Sequence, residues 1–120
     1  MEEINGCTVI TPADTAEILT WGAEETGGAY ATLIGVIPPG LDTPPLHVHP
    51  TTDEAFYVAQ GPAAFQLEDE KVTAESGSLV FVPRGTMHTA WNPGSEPVRG
   101  LISSRPATLS TSSLRWTRAE

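Results

Sequence analysis

Leu46-His47-Val48-His49-Pro50-Thr51-Thr52-Asp53-Glu54-Ala55-Phe56-Tyr57-Val58-Ala59-Gln60-Gly61 is the stretch from which the rest of the chain is best read. His47 and His49 flank one residue. Side chains alternate faces along an extended chain, so both imidazoles point the same way. Glu54 heads the run Glu54-Ala55-Phe56-Tyr57-Val58, which reads as a strand. On it Glu54, Phe56 and Val58 share a face, which sets a carboxylate at the rim of an apolar surface. An ionised carboxylate is costly there unless a cation or hydrogen-bond donors meet it.

The third and last histidine of the chain, His88, lies in Met87-His88-Thr89-Ala90-Trp91-Asn92, just after the tight turn Pro83-Arg84-Gly85. His88, Ala90 and Asn92 share a face of that strand. Three imidazoles and one carboxylate suit one divalent transition metal, Fe, Mn, Ni, Co, Cu or Zn. Four protein ligands around an octahedral ion leave two positions open, as a redox or Lewis-acid catalyst needs. Each part alone has a plainer reading. His-x-His can be two solvated imidazoles on an edge strand, and a single histidine such as His88 can be a hydrogen-bonded structural residue.

Outward from these segments, eleven glycines and eleven prolines cut the chain into short pieces rich in Val, Ile, Thr, Tyr and Phe. Strands are expected near 6–10, 16–21, 28–37, 46–49, 54–60, 63–68, 71–75, 79–83, 87–92 and 97–104. Pro38-Pro39-Gly40, Gly61-Pro62, Ser76-Gly77 and Pro93-Gly94 mark turns between them. Glu68-Asp69-Glu70-Lys71 reads as a solvated hairpin turn. The best helical candidate, Pro12 to Leu19, is about one turn. Many short, evenly spaced strands indicate an all-β sandwich or barrel. The 120 residues are expected to form one domain, with 106–120, which carries Leu109, Leu114 and Trp116, as a tail or packing arm.

Six basic against fifteen acidic side chains give a net charge of −9, which repels phosphate backbones and anionic headgroups. Nucleic acid and membrane are therefore not expected as partners. The single cysteine, Cys7, allows no internal disulfide and is assigned no role. The acidic start Met1-Glu2-Glu3-Ile4 lacks the pattern of a secretory signal, so a cytoplasmic location is expected.

The two histidine segments resemble the paired signature motifs of the cupin superfamily. His47, His49, Glu54 and Gly61 fit the first, His-x-His, three or four residues, Glu, six residues, Gly. Gly77, Pro83, Gly85, His88 and Asn92 fit all five fixed positions of the second. One departure is that six residues, not five, separate Gly40 from His47, a longer loop through Pro44-Pro45 that bears on the pocket mouth. The resemblance spans roughly 35–105, with motifs at 40–61 and 77–92. It implies a small antiparallel jelly-roll β-barrel with the metal inside, held by His47, His49, Glu54 and His88. Gly61, Gly77 and Gly85 would then serve turns or close backbone approach. Asp53 is expected to face away from the ligands.

Phe56, Val58, Phe65 and Leu67 are expected to form an apolar wall of a substrate pocket that is also plain core. On 97–104 either Arg99, Leu101 and Ser103 or the alternate set faces inward, and an inward Arg99 could clamp a carboxylate or enolate. Tyr30, Trp91 and Asn92 are further candidates for pocket polarity. The resemblance implies a metal-dependent enzyme acting on a small organic molecule, first an oxygenase or dioxygenase, with Glu54 able to leave the metal and act as base. Redox-neutral isomerase, cyclase or lyase chemistry is the alternative, and a non-catalytic ligand-binding or sensor module a second one. Relatives of this kind also imply a homodimer formed through edge strands and terminal arms.

Overall fold

Residues 2–9 and 19–107 are described in the computed structural model. Residues 12–18 of the helical candidate Pro12 to Leu19, the start of the strand expected at 16–21, and 108–120 of the terminal arm lie outside the described residues. In chain order the elements are β1 (Glu2–Ile4), β2 (Cys7–Val9), β3 (Leu19–Trp21), α1 (Ala23–Thr26), β4 (Ala31–Ile37), β5 (Asp53–Gln60), β6 (Ala63–Leu67), β7 (Glu70–Ala74), β8 (Leu79–Val82), β9 (His88–Trp91) and β10 (Val98–Arg105). Every strand pair among the described residues is antiparallel. None of the described helices is long and apolar enough to cross a membrane.

Two sheets face each other, a five-stranded one in the order β3-β4-β10-β5-β8 and a three-stranded one in the order β7-β6-β9. This is the antiparallel jelly-roll barrel. Alternation decides what each strand buries. On β5, Glu54, Phe56 and Val58 are buried while Ala55, Tyr57 and Ala59 are exposed. From the facing sheet Ala63, Phe65 and Ala90 close the interior, with Leu33, Val82, Val98 and Ile102 around them. The Phe56 and Phe65 rings meet edge to face, centroids 5.2 Å apart, at the contact between sheets. Burying one such ring contributes about 1.5–3 kcal/mol.

Three local results differ from the sequence expectation. First, 46–49 is not a ladder strand. His47 alone pairs, on one rung with His88, because Pro44, Pro45 and Pro50 lack the N–H groups a ladder needs. Second, β1 joins β2 in a hairpin that the sequence reading left out; its turn is Asn5-Gly6, with φ 52° and 81° at the two positions. Third, a single helical turn, α1, follows Gly22, whose N–H is capped at 2.8 Å by the Glu25 carboxylate.

The motif glycines divide as expected. Gly77 and Gly85 have φ 94° and 86°. Gly61 has no room for a Cβ, which would fall 2.9 Å from Val58 Cγ1 and 3.1 Å from the Ala74 carbonyl.

Candidate metal centre

The barrel brings His47, His49, Glu54 and His88 together, and one ligand atom from each lies within 4.8 Å of all the others. Backbone sets the first approach. His47 N donates to the His88 carbonyl at 3.0 Å and His88 N to the His47 carbonyl at 2.9 Å, so two ligands distant in sequence face each other on one rung. His49 is tied in through its own carbonyl, which accepts the Gly85 N–H at 2.9 Å. The turn around Gly85 thus holds the first histidine pair to the strand of the third.

Side-chain contacts then aim the rings. His88 Nδ1 lies 2.9 Å from the Thr86 carbonyl and His47 Nδ1 3.3 Å from the Pro45 carbonyl. An imidazole anchored at Nδ1 by a carbonyl presents Nε2 as its free ligand atom. His88 Nε2 points at Glu54 Oε1, 2.8 Å away, and His49 Nε2 lies 3.6 Å from the same oxygen. Glu54 and His88 are 3% and 2% exposed, His49 is half-buried, and His47 lies at the open rim.

The ring environments differ. Burial lowers the His47 pKa, and the neighbouring His88 and His49 push the same way. Burial also pulls on His88, but the Glu54 carboxylate and the Thr86 carbonyl outweigh it and leave that imidazole above its ordinary value. A proton and a metal ion therefore compete for His88 Nε2.

The donor set fits a divalent ion. Donors bonded at about 2.0–2.2 Å to one ion lie within about 4.4 Å of each other, so the four need to close by only a few tenths of an ångström. The buried Glu54 carboxylate meets imidazoles rather than a guanidinium or ammonium, so a proton on His88 or a bound cation is what can match its charge.

Of the residues expected to form the wall, Phe56, Val58 and Phe65 are buried in the core, Leu67 packs against them, and Leu67 pairs in register with His88. The Phe56 ring lies 6.3 Å from that of His88. Arg99 does not fall in the inward set of its strand. Val98, Ile102 and Ser104 are the buried positions of β10, while Arg99 is exposed at a register shift against β5 between Arg99 and Gly100. Trp91 stands on the face opposite Ala90 and His88, paired with Ala64. Asn92 braces a turn, donating to the Ile37 and Glu96 carbonyls at 2.9 and 2.7 Å and accepting from Gly94 N at 2.9 Å. Tyr30 is 43% exposed.

Sequence reasoning missed the supports. Glu68 is exposed, as a hairpin turn should be, yet its carboxylate accepts the Met87 N–H at 2.8 Å and its own N–H donates to the Met87 carbonyl at 2.8 Å. It fixes the residue just before His88. No spacing rule marks it out within a run of four charged residues. Asp53 faces away from the ligands as expected, and there receives Arg84 through N at 2.9 Å, Nε at 3.1 Å and Nη2 at 3.2 Å.

A family model described as Cupin domain matches residues 33–103, more than half of the chain, and the protein belongs to that family. Its sequence is 32% identical over 71 residues to the protein MJ1618 of Methanocaldococcus jannaschii, covering 59% of this chain and 56% of that one. It is also 32% identical over 60 residues to the tetracenomycin polyketide synthase protein TcmJ of Streptomyces glaucescens, covering 50% and 40%. The chain thus spans about half or less of the length of these relatives. Among solved structures, a cupin protein of Bacteroides fragilis superposes with TM-score 0.71 at 14% identity over 89% of this chain and 90% of that one. The oxalate decarboxylase of Bacillus subtilis, a protein with Mn(II) centres, superposes with TM-score 0.67 at 21% identity over 78% of this chain and 26% of that one.

Proposed function

We propose that this cupin is a metal-dependent enzyme acting on a small organic molecule, and that its reaction is an oxygenation. The observation that carries the reading is the convergence of three imidazoles and one buried carboxylate beside an apolar wall. His47, His49, Glu54 and His88 would hold one divalent transition metal, with Fe, Mn or Ni foremost. When bound, the ion supplies open coordination positions and Lewis acidity. The chain supplies the rest. Phe56, Val58, Phe65 and Leu67 exclude water and favour an apolar substrate body, such as a phenol, diketone or enediol. Glu54 is the group able to take a substrate proton, at the Oε1 atom that now faces His88.

That Glu54–His88 hydrogen bond also favours a second reading, redox-neutral isomerase, cyclase or lyase chemistry, in which the pair moves a proton between substrate carbons. The decisive experiment is elemental analysis of protein purified without chelator, followed by a substrate panel on metal-loaded protein. Oxygen uptake coupled to one substrate supports the oxygenase. Turnover under argon supports the redox-neutral enzyme. Tight ligand binding without turnover under either condition overturns both.

We also propose that the chain works as a homodimer. Among the described residues β8 is the edge strand of the larger sheet and carries Leu79 and Phe81 outward at 78% and 62% exposure, next to Tyr57 on β5. A free apolar edge is a liability that a second copy covers symmetrically. Light scattering should return twice the 12.7 kDa of one chain; a monomer mass at micromolar concentration rejects the dimer.

A further inference from the structure

Ser104 is 1% exposed, and its Oγ has no hydrogen-bond partner among the described residues. Buried hydroxyls are normally partnered, and leaving one unpaired costs about 1–3 kcal/mol. Its neighbours show what it is placed to meet. β10 lies between β4 and β5, and Ser104 pairs with Ala31 on one side and Glu54 on the other. Glu54 in turn pairs with Val82 on β8. Directly opposed residues of an antiparallel pair share a face, with Cβ atoms about 4.5–5.5 Å apart. Across the inner face at this level the row reads Ala31, Ser104, Glu54, Val82, all buried. One hydroxyl stands beside one carboxylate, with only apolar side chains on either flank.

Within this row, Glu54 turns Oε1 toward His88 and His49. A carboxylate that is a metal ligand usually needs an outer hydrogen bond to hold its orientation. We propose, on the basis of the metal reading above, that Ser104 is a positioning residue for Glu54. Its hydroxyl donates to the carboxylate oxygen turned away from the histidines, directly after rotation about χ1 or through one bridging solvent molecule, and so keeps Oε1 aimed at the ion. A serine χ1 has three staggered wells, so the rotation needs no backbone movement. Ser104 touches neither ion nor substrate in this role and acts through Glu54 alone.

The test uses metal titration by chelator competition on wild type, Ser104→Ala, Glu54→Gln, the double variant and His88→Ala, with thermal unfolding of each metal-free form. Ser104→Ala should weaken metal binding about 10–100-fold, the range for loss of an outer partner. Its metal-free form should unfold no earlier than wild type, because the change removes an unpaired buried hydroxyl. In the Glu54→Gln background the same substitution should cost less than about threefold, because the group it orients is already altered. Wild-type affinity in Ser104→Ala, or an undiminished loss in the double variant, overturns the proposal while leaving the metal reading intact. Undiminished metal binding by His88→Ala, or none by wild type, overturns the metal reading and this proposal with it.

Discussion

Asp53 and Glu54 are adjacent residues with the same functional group and opposite surroundings. Glu54 is 3% exposed and faces the imidazoles of His88 and His49. Asp53, one step along β5, turns to the outer face, where the Arg84 guanidinium holds its carboxyl down to about 2, with Arg105 3.8 Å away adding to it. The pleat alone sorts them, since successive residues of a strand point to opposite faces. The two are still linked. Arg84 sits in the turn whose next residue, Gly85, donates to His49, so the outer ion pair braces the loop that frames the inner site. A carboxylate here becomes a ligand candidate or a clamp according to its face.

The largest effect separating the faces should come from the inner one. His88→Ala should weaken metal binding by more than about 100-fold, beyond the range for an outer partner, and cost about 3–5 kcal/mol by stranding a buried carboxylate. His49→Ala, at a half-buried position, should lose metal with a smaller change in stability. Elemental analysis and urea unfolding measure both, and full metal content in both variants would place the site elsewhere.

Next in size is a test one step further along the strand. Phe56→Ala should cost about 3–5 kcal/mol by opening a cavity between the sheets. Tyr57→Ala, on the outer face at 41% exposure, should cost about 1 kcal/mol or less. Equal urea midpoints for the two would break the inner–outer contrast and indicate that the outer face is covered in solution.

The smallest effect belongs to Asp53. Its folded pKa of about 2 lies below its reference value of 3.8, so protonation favours the unfolded chain and stability falls as the pH drops. Its contribution is fully present above roughly pH 5 and is lost as the pH falls toward 2. The gap in urea midpoint between wild type and Asp53→Asn should be constant from pH 7 to 5 and shrink steadily below pH 4. A gap that stayed constant down to pH 2.5 would show that Arg84 does not hold that carboxylate in solution.

What could be read from residues alone was whatever depends on alternation and punctuation. The shared face of Glu54, Phe56 and Val58, the pairing of His47 with His49, and most strand positions are of this kind. Features that depend on how strands meet were not legible. The inward set of β10 rests on its register with β4 and β5, and that excluded Arg99. Ser104 beside Glu54 is likewise a relation between strands distant in sequence. The β1–β2 hairpin differs, because Asn5-Gly6 is a strong turn signal that could have been used. Residues 46–49 show the opposite error, where alternation suggested a strand and three prolines prevented a ladder.

The His47–His88 rung has a consequence for how an ion is acquired. Two of the four candidate donors are joined by main-chain hydrogen bonds, which need no ion to form, so on the proposed metal reading loading would not have to organise the socket. On that reading folding and loading would be separate events, unlike in small domains that collapse only around zinc. For nitrogen and oxygen donors of this kind, geometry, ligand type and metal supply together select the occupant. Exchange should be reversible, and the chemistry observed should change with the ion supplied.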